Sequence, residues 1–432
     1  VPGIMLRDRA LPGVFAVAML LFGTRWISYL GHEPFFLTDA LLLAAAVGVI
    51  LAGWPHGSAW ARGLSPWLIL ATTWALVRFA TGPDHSMSAL RDYAPFLYIG
   101  VGLIAGTATA FIGAVGIFRT GRILEYAVYG HGLWNALSAV FPTLPEALPL
   151  ISRDQQLWVF TIRSDIDSAV SGIAAALCVR IVVFGRGWRP PLAAAGLVVF
   201  ASAIFLNGSR AGLLGASALV ALVLLRSITA ADVPRSRVLF VLGALPYVAT
   251  LAVAQIAATG IGDRILGTFG MASSERSMGA AGTAQARMKA WEAIVSWFLS
   301  TNERIHLGAG FGINFMSASG ADYKLVGTRE VGQTIPRSPH NFWLTLLARL
   351  GLWYALLIAL IIIVSICLGG WMWWRCSHST LLLIVFGISL TVPITSSLGV
   401  VLESPFGAVP FWWAVGVILG GRLEFAERCP PH

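Results

Sequence analysis

Residues 337–367 read RSPHNFWLTLLARLGLWYALLIALIIIVSIC. From Asn341 onward a single charge, Arg349, interrupts a run longer than the roughly 20 apolar residues needed to cross a hydrocarbon core. Lipid supplies no partner for open backbone groups, so a run of this kind has to be helical. The rest of the chain agrees. Hydrophobic residues make up 57% of the 432 and charged residues 11%, beside a mean hydropathy of +0.78. That charged share is under half of what an average soluble domain carries. About twelve apolar runs can be read, near 11–30, 36–53, 66–80, 94–117, 122–142, 167–185, 191–206, 211–227, 238–260, 341–367, 379–400 and 407–422. The first follows Arg7 and Arg9 as a signal peptide would, but its length and Arg25 favour a retained span. The expected fold is an all-α polytopic membrane protein of about twelve transmembrane helices. Nine of them would lie in residues 1–260 and three in 341–432, with a large outward loop over 261–340.

The formal charge of +9 rests on arginine, Lys289 and Lys324 being the only lysines. Such an excess in a soluble protein would suggest nucleic acid, but its placement excludes that partner. With a cytoplasmic N-terminus, the inward connections hold Arg62; Arg119 and Arg122; Arg186 and Arg189; Arg226, Arg235 and Arg237; Arg375; and Arg422 with Arg428. The short outward connections are poor in arginine, so both termini are expected in the cytoplasm. Cys178 and Cys367 fall in spans, Cys376 and Cys429 on the inward side, and no disulfide is expected.

The long outward connection carries Arg264, Arg276, Arg287, Lys289, Arg304, Lys324, Arg329 and Arg337, which asks for an anionic partner on that side. Within it, QARMKAWEAIVSWFLS (285–300) places Met288, Trp291, Ile294, Val295, Phe298 and Leu299 at helical spacing, an amphipathic helix for the membrane surface. Arg287 and Trp291 are four apart and share a face, with lipid-phosphate contact as the competing use of that arginine. In LNGSRAGLLG (206–215) two apolar runs meet with almost no connection. Arg210 therefore starts a helix, where a cation opposes the macrodipole unless an anion binds between them; a snorkelling arginine is the alternative. Ser338 is read as an N-cap and Pro339 as the first helical residue, which puts His340 in the first turn. A neutral imidazole there can accept a proton, or can simply bond neighbouring backbone. Arg349 follows by nine residues, on the opposite face, and reads as an interhelical bond. GAGFG (308–312) reads as a tight turn rather than a dinucleotide fingerprint. Asp165 and Asp167 in RSDID read as helix caps before a metal pair, and Arg163 beside them could hold an anion or pair with those aspartates.

Three stretches together resemble the bacterial O-antigen ligase and polymerase superfamily: NGSRAG (207–212), QARMKAWEAI followed by HLGAGFGINF (within 285–315), and SPHNFWLTLLARLGL (338–352). The first departs from the family's Ser-Arg-Gly pattern by Ala211, and the likeness is specific only over about 205–355. The resemblance implies a GT-C-related helical bundle with one large periplasmic loop, in the bacterial inner membrane, with the active site facing the periplasm. Within that superfamily, chain size and the single dominant outer loop favour a ligase, which by the resemblance passes a glycan from undecaprenyl diphosphate to a sugar hydroxyl of lipid A–core and releases undecaprenyl diphosphate, with no metal and no cofactor. By matching motif, Arg210 and Arg287 would hold the diphosphate and His340 would activate the acceptor hydroxyl. Arg264, Arg163, Trp291, Asn341 and Arg337 are the further candidates for diphosphate or glycan contact. Single displacement would invert the anomeric carbon. Membrane lipids are the other expected partners, and a monomer is expected. A polymerase or a protein O-oligosaccharyltransferase of the same superfamily is the nearest alternative. A lipid-linked glycan transporter is the alternative of another class, against which stands the lack of a repeat between 1–210 and 211–432.

Overall fold

The computed structural model describes residues 30–32, 35–53, 57–110, 113–152, 157–161, 164–229, 275–322 and 337–428, with isolated positions at 236, 239 and 243. A small antiparallel pair, β1 (Gly31–His32) and β2 (Phe35–Phe36), precedes α1 (Leu37–Gly53), α2 (Gly57–Ala80), α3 (Met87–Ala110) and α4 (Gly113–Val140). A second pair, β3 (Leu150–Ser152) and β4 (Leu157–Trp158), sets Leu150 opposite Trp158. There follow α5 (Ser164–Phe184), α6 (Arg189–Leu206), α7 (Arg210–Thr229), α8 (Glu275–Leu299) and the short α9 (Asn302–Leu307) and α10 (Phe315–Ala318). The chain ends in α11 (Phe342–Arg375), α12 (Thr380–Ser396) and α13 (Pro405–Arg428).

Helices occupy the expected apolar runs wherever those fall on described residues, while the runs near 11–30 and 238–260 lie almost wholly outside them. Among the described residues, α3, α5, α6, α7 and α11 are long and apolar enough to cross a membrane. Shorter apolar helices span Ile69–Ala80, Thr380–Ser396 and Pro405–Gly420. On α11 the exposed Trp353, Leu356, Leu360 and Ile363 recur every three or four residues. A stripe of that kind faces lipid in a membrane protein and has no place on a soluble one.

Small residues set the interhelical distances, as expected where lipid gives no hydrophobic push between helices. A Cβ on Gly102 or Gly106 of α3 would fall within 2.5 Å of Trp412 or 2.0 Å of the Trp413 carbonyl on α13. Gly172 of α5 meets Ala216 of α7 in the same way, and Gly212 at the start of α7 meets Ser168 at the start of α5. These contacts fix α7 to α5 along their length, which matters for Arg210.

Two expectations fail here. The run from Asn341 reads as one continuous helix, but α11 breaks at Gly351, whose φ of 82° and ψ of 174° are not helical. The carbonyls freed by the break find donors: Ala309 N–H on Ala348 at 2.8 Å, Gly310 N–H on Arg349 at 2.9 Å and the Trp74 indole on Leu350 at 3.1 Å. GAGFG is thus a tight turn, with positive φ at Gly308, Gly310 and Gly312, and it is the turn that makes the break tolerable. The second failure is at Cys376, which is disulfide-bonded, while Cys178 and Cys367 are free. Cys376 stands at the C-cap of α11, where its N–H donates to the Met372 carbonyl and its side chain packs against the helical core. Disulfides are rare in a reducing cytosol, so this bond is at odds with the inward placement expected for Cys376.

Candidate active site

The loop that enters α11 differs from its expected form. Asn341, not Ser338, is the N-cap: its φ of −151° is extended, and its side-chain oxygen accepts from the N–H groups of Trp343 and Leu344. Asn341 is thereby used as a structural cap. His340 stands one residue outside the helix with φ 55°, a left-handed conformation that costs a non-glycine residue about 1–2 kcal/mol. Such a residue persists only when its surroundings over-determine it. Here they do. The His340 N–H donates to Ser338 Oγ at 3.3 Å, and the Trp291 indole donates to the carbonyl of Pro339 at 2.9 Å.

That second bond ties α8 to the loop. One side of α8, through Ala290, Ile294 and Phe298, is buried against the protein. Met288, Val295 and Leu299, expected on the same apolar face, are exposed and line with Trp291 an open recess of about 790 Å3. The helix therefore has a protein face and an outer apolar face, the arrangement of a helix lying at an interface. Arg287 lies one turn before Trp291 and donates to the Leu398 carbonyl at 3.2 Å. Burial disfavours its charge, and Asp165 at the start of α5 counters this. A Cβ on Gly399 would sit 3.0 Å from Asp165 Oδ2, so α5, α8 and the connection between α12 and α13 meet at this point.

Arg210 is the first residue of α7. Ser209 caps that helix by accepting from the Gly212 N–H at 3.1 Å, and Gly208 turns the chain with φ 68°. The Gly212–Ser168 approach puts the start of α7 beside the start of α5, the same helix end that holds Asp165 near Arg287. Arg210, Arg287, Trp291 and His340 are in this way carried by elements joined at one end of the helices. Arg337 forms a two-bond pair with Asp92 of α3, at 2.6 and 3.3 Å, and also donates to the Gly312 carbonyl. Arg349 takes the same Asp92 at 2.8 Å, an interhelical bond from α11 to α3. Arg163 and Arg264 lie outside the described residues.

Three groups escaped sequence reasoning. Asp92 gathers Arg337, Arg349 and the Gly312 N–H, and so anchors both sides of the loop. Glu403, in the connection between α12 and α13, accepts from the hydroxyls of Ser338 and Thr345, the latter at 3.0 Å. The residue keeps some exposed surface, yet protein surrounds its carboxyl; burial raises its pKa against the pull of those hydrogen bonds and of Arg349. Its sequence signal was a lone carboxylate between two apolar runs. The third is His131 of α4, 2.7 Å from Asp167, with Asn135, Ser171, Asn207 and Ser168 in an adjoining network. Asp167 thus turns to His131 while Asp165 faces Gly399. The aspartates have different neighbours.

Residues 195–359 match the family model described as O-antigen ligase. That segment is similar to the O-antigen ligase family. It covers less than half of the 432-residue chain and contains Arg210, Arg287, Trp291 and His340. No curated protein matches the chain. Activity of the O-antigen ligase/polymerase type is what the matched segment supports, and the apolar helices around it agree with a membrane enzyme of that kind.

Proposed function

We propose that the protein is an O-antigen ligase of the bacterial inner membrane. It would move a glycan from undecaprenyl diphosphate to a sugar hydroxyl of lipid A–core on the periplasmic side, within a GT-C-related bundle of about twelve spans. The observation that carries this is the bond from the Trp291 indole to the Pro339 carbonyl, which couples the helix bearing Arg287 to the loop bearing His340. The chemistry suits those groups. Diphosphate is a good leaving group once the charge developing on it is neutralised, and Arg210 with Arg287 provides bidentate cations for that without a metal. The acceptor oxygen attacks the anomeric carbon as the carbon–oxygen bond to diphosphate breaks. His340 takes the hydroxyl proton, and single displacement inverts the anomeric centre.

The test is an acceptor comparison. Purified protein is given lipid-linked glycan together with lipid A–core, or with a second lipid-linked glycan. Product on lipid A–core alone supports the ligase. Elongated lipid-linked glycan makes the protein a polymerase, and passage of intact substrate across liposomes without consumption makes it a transporter. Chelator is expected to leave the rate unchanged; a loss would return Asp165 and Asp167 to consideration as metal ligands.

A further inference from the structure

The candidate site occupies one end of α5, and the other end holds a second feature. From Ser164 to Phe184 at 1.5 Å per residue is about 30 Å, the thickness of a hydrocarbon core. At Phe184 a recess of about 390 Å3 is lined by Arg180, Arg186, Arg189 and His378, with Ile181 and Phe184 as its apolar part. Arg180 is held rigidly. Its guanidinium donates to the His378 carbonyl and to Thr380 Oγ1, each at 2.7 Å, so the turn between α11 and α12 forms one wall. Its Nε is buried and has no hydrogen-bond partner among the described residues. Buried donors are nearly always satisfied, and an orphan in a cationic recess points to an acceptor from outside the protein. Among the described residues, Glu125 is the carboxylate that acts on Arg180.

The surroundings say what kind of anion. Trp188, between Arg186 and Arg189, is 72% exposed, and α6 continues with the exposed apolar side chains of Leu192, Val198 and Val199. Arg226 lies over Trp374 and Arg375 over Trp371, at 5.5 and 4.8 Å, on the ends of α7 and α11 away from the candidate site. Tryptophan and arginine gathered at helix ends are the composition of a membrane–water interface. A free phosphate needs no apolar track beside it, whereas a phospholipid does. We infer that this recess binds the phosphate of an anionic glycerophospholipid headgroup, with an acyl chain lying along the outer face of α6. Arg186 and Arg189 complete a pocket that Arg180 begins.

The experiment uses the full chain in mild detergent, with native mass spectrometry reporting retained lipid. Phosphatidylglycerol is expected to be retained about tenfold over phosphatidylcholine, the ratio that one additional charge-assisted contact gives. The double variant Arg186→Gln/Arg189→Gln, at two exposed positions, is expected to lose that preference while eluting as the same species with unchanged helical circular dichroism. Equal retention of the two lipids by the unaltered chain, or an undiminished preference in the variant, overturns the site. Inorganic phosphate displacing phosphatidylglycerol at equal concentration overturns the lipid as its occupant. The outcome does not depend on the transferase reading.

Discussion

His340 carries two separable burdens, one chemical and one conformational. Its imidazole is assigned the acceptor proton, and its backbone sits at φ 55°, where asparagine is tolerated far better than a β-branched residue. Replacement by Asn and by Val should therefore agree on activity and disagree on stability. Both are expected to slow glycan transfer by about 10²–10⁴-fold, the usual contribution of a general base. His340→Asn should melt within a degree or two of the unaltered protein, and His340→Val should be less stable by about 1–3 kcal/mol. Equal activity in His340→Asn and the unaltered protein would remove the imidazole from the chemistry. Arg210→Ala tests the other partner, with loss of transfer and no loss of folding expected. The residue types were legible in the sequence because a histidine at a helix entry and an arginine at a helix start are both electrostatically awkward. The left-handed backbone was not legible: it depends on Trp291, 49 positions back, and on Glu403, 63 positions ahead.

Among the elements, α8 and the broken α11 decide whether the loop can be held. The amphipathic pattern of 285–300 identified α8 as a helix, but could not divide its apolar residues between protein and outside. That division depends on what Ala290 and Ile294 pack against, Phe315, Met316 and Ala321 beyond the helix and Ala348 on α11. Trp291→Phe keeps the ring and removes the donor to Pro339. Transfer should fall by about tenfold, and the melting temperature should change little, because a single hydrogen bond contributes about 1 kcal/mol. An unchanged turnover number would mean that α8 does not position the loop. The break at Gly351 was invisible in a run of unbroken hydropathy, since glycine is common in membrane helices and only a partner able to take the freed carbonyls permits the kink. Gly308 is that partner's first residue. With φ 70° and a Cβ position 2.3 Å from the backbone of Arg349, Gly308→Ala should cost about 2 kcal/mol or more, read as a lowered thermal midpoint.

Across the whole molecule, hydropathy and the arginine distribution made the helical membrane architecture readable, because both are properties of composition along the chain. The pairings between distant helices were not readable, since Asp92, Arg337, Arg349 and Glu403 look alike in sequence whether they meet or not. Their meeting gives the protein a pH-dependent stability. Burial raises the folded-state pKa of Glu403 above the roughly 4.3 of an unfolded glutamate. A group raised in this way contributes its full share to stability below the unfolded value. As pH climbs, the unfolded chain releases its proton first, and that share is lost until pH has passed the folded value. Asp92 adds to the raising, while Arg349 and the Ser338 and Thr345 hydroxyls oppose it by favouring the anion. The unaltered protein should therefore lose stability as pH rises above about 4.3 through this group. Glu403→Gln, which keeps the shape and cannot ionise, should flatten that part of the curve. Thermal midpoints taken across the range in both proteins decide it, and parallel curves would mean that folding leaves the pKa of the carboxyl at the base of the His340 loop unshifted.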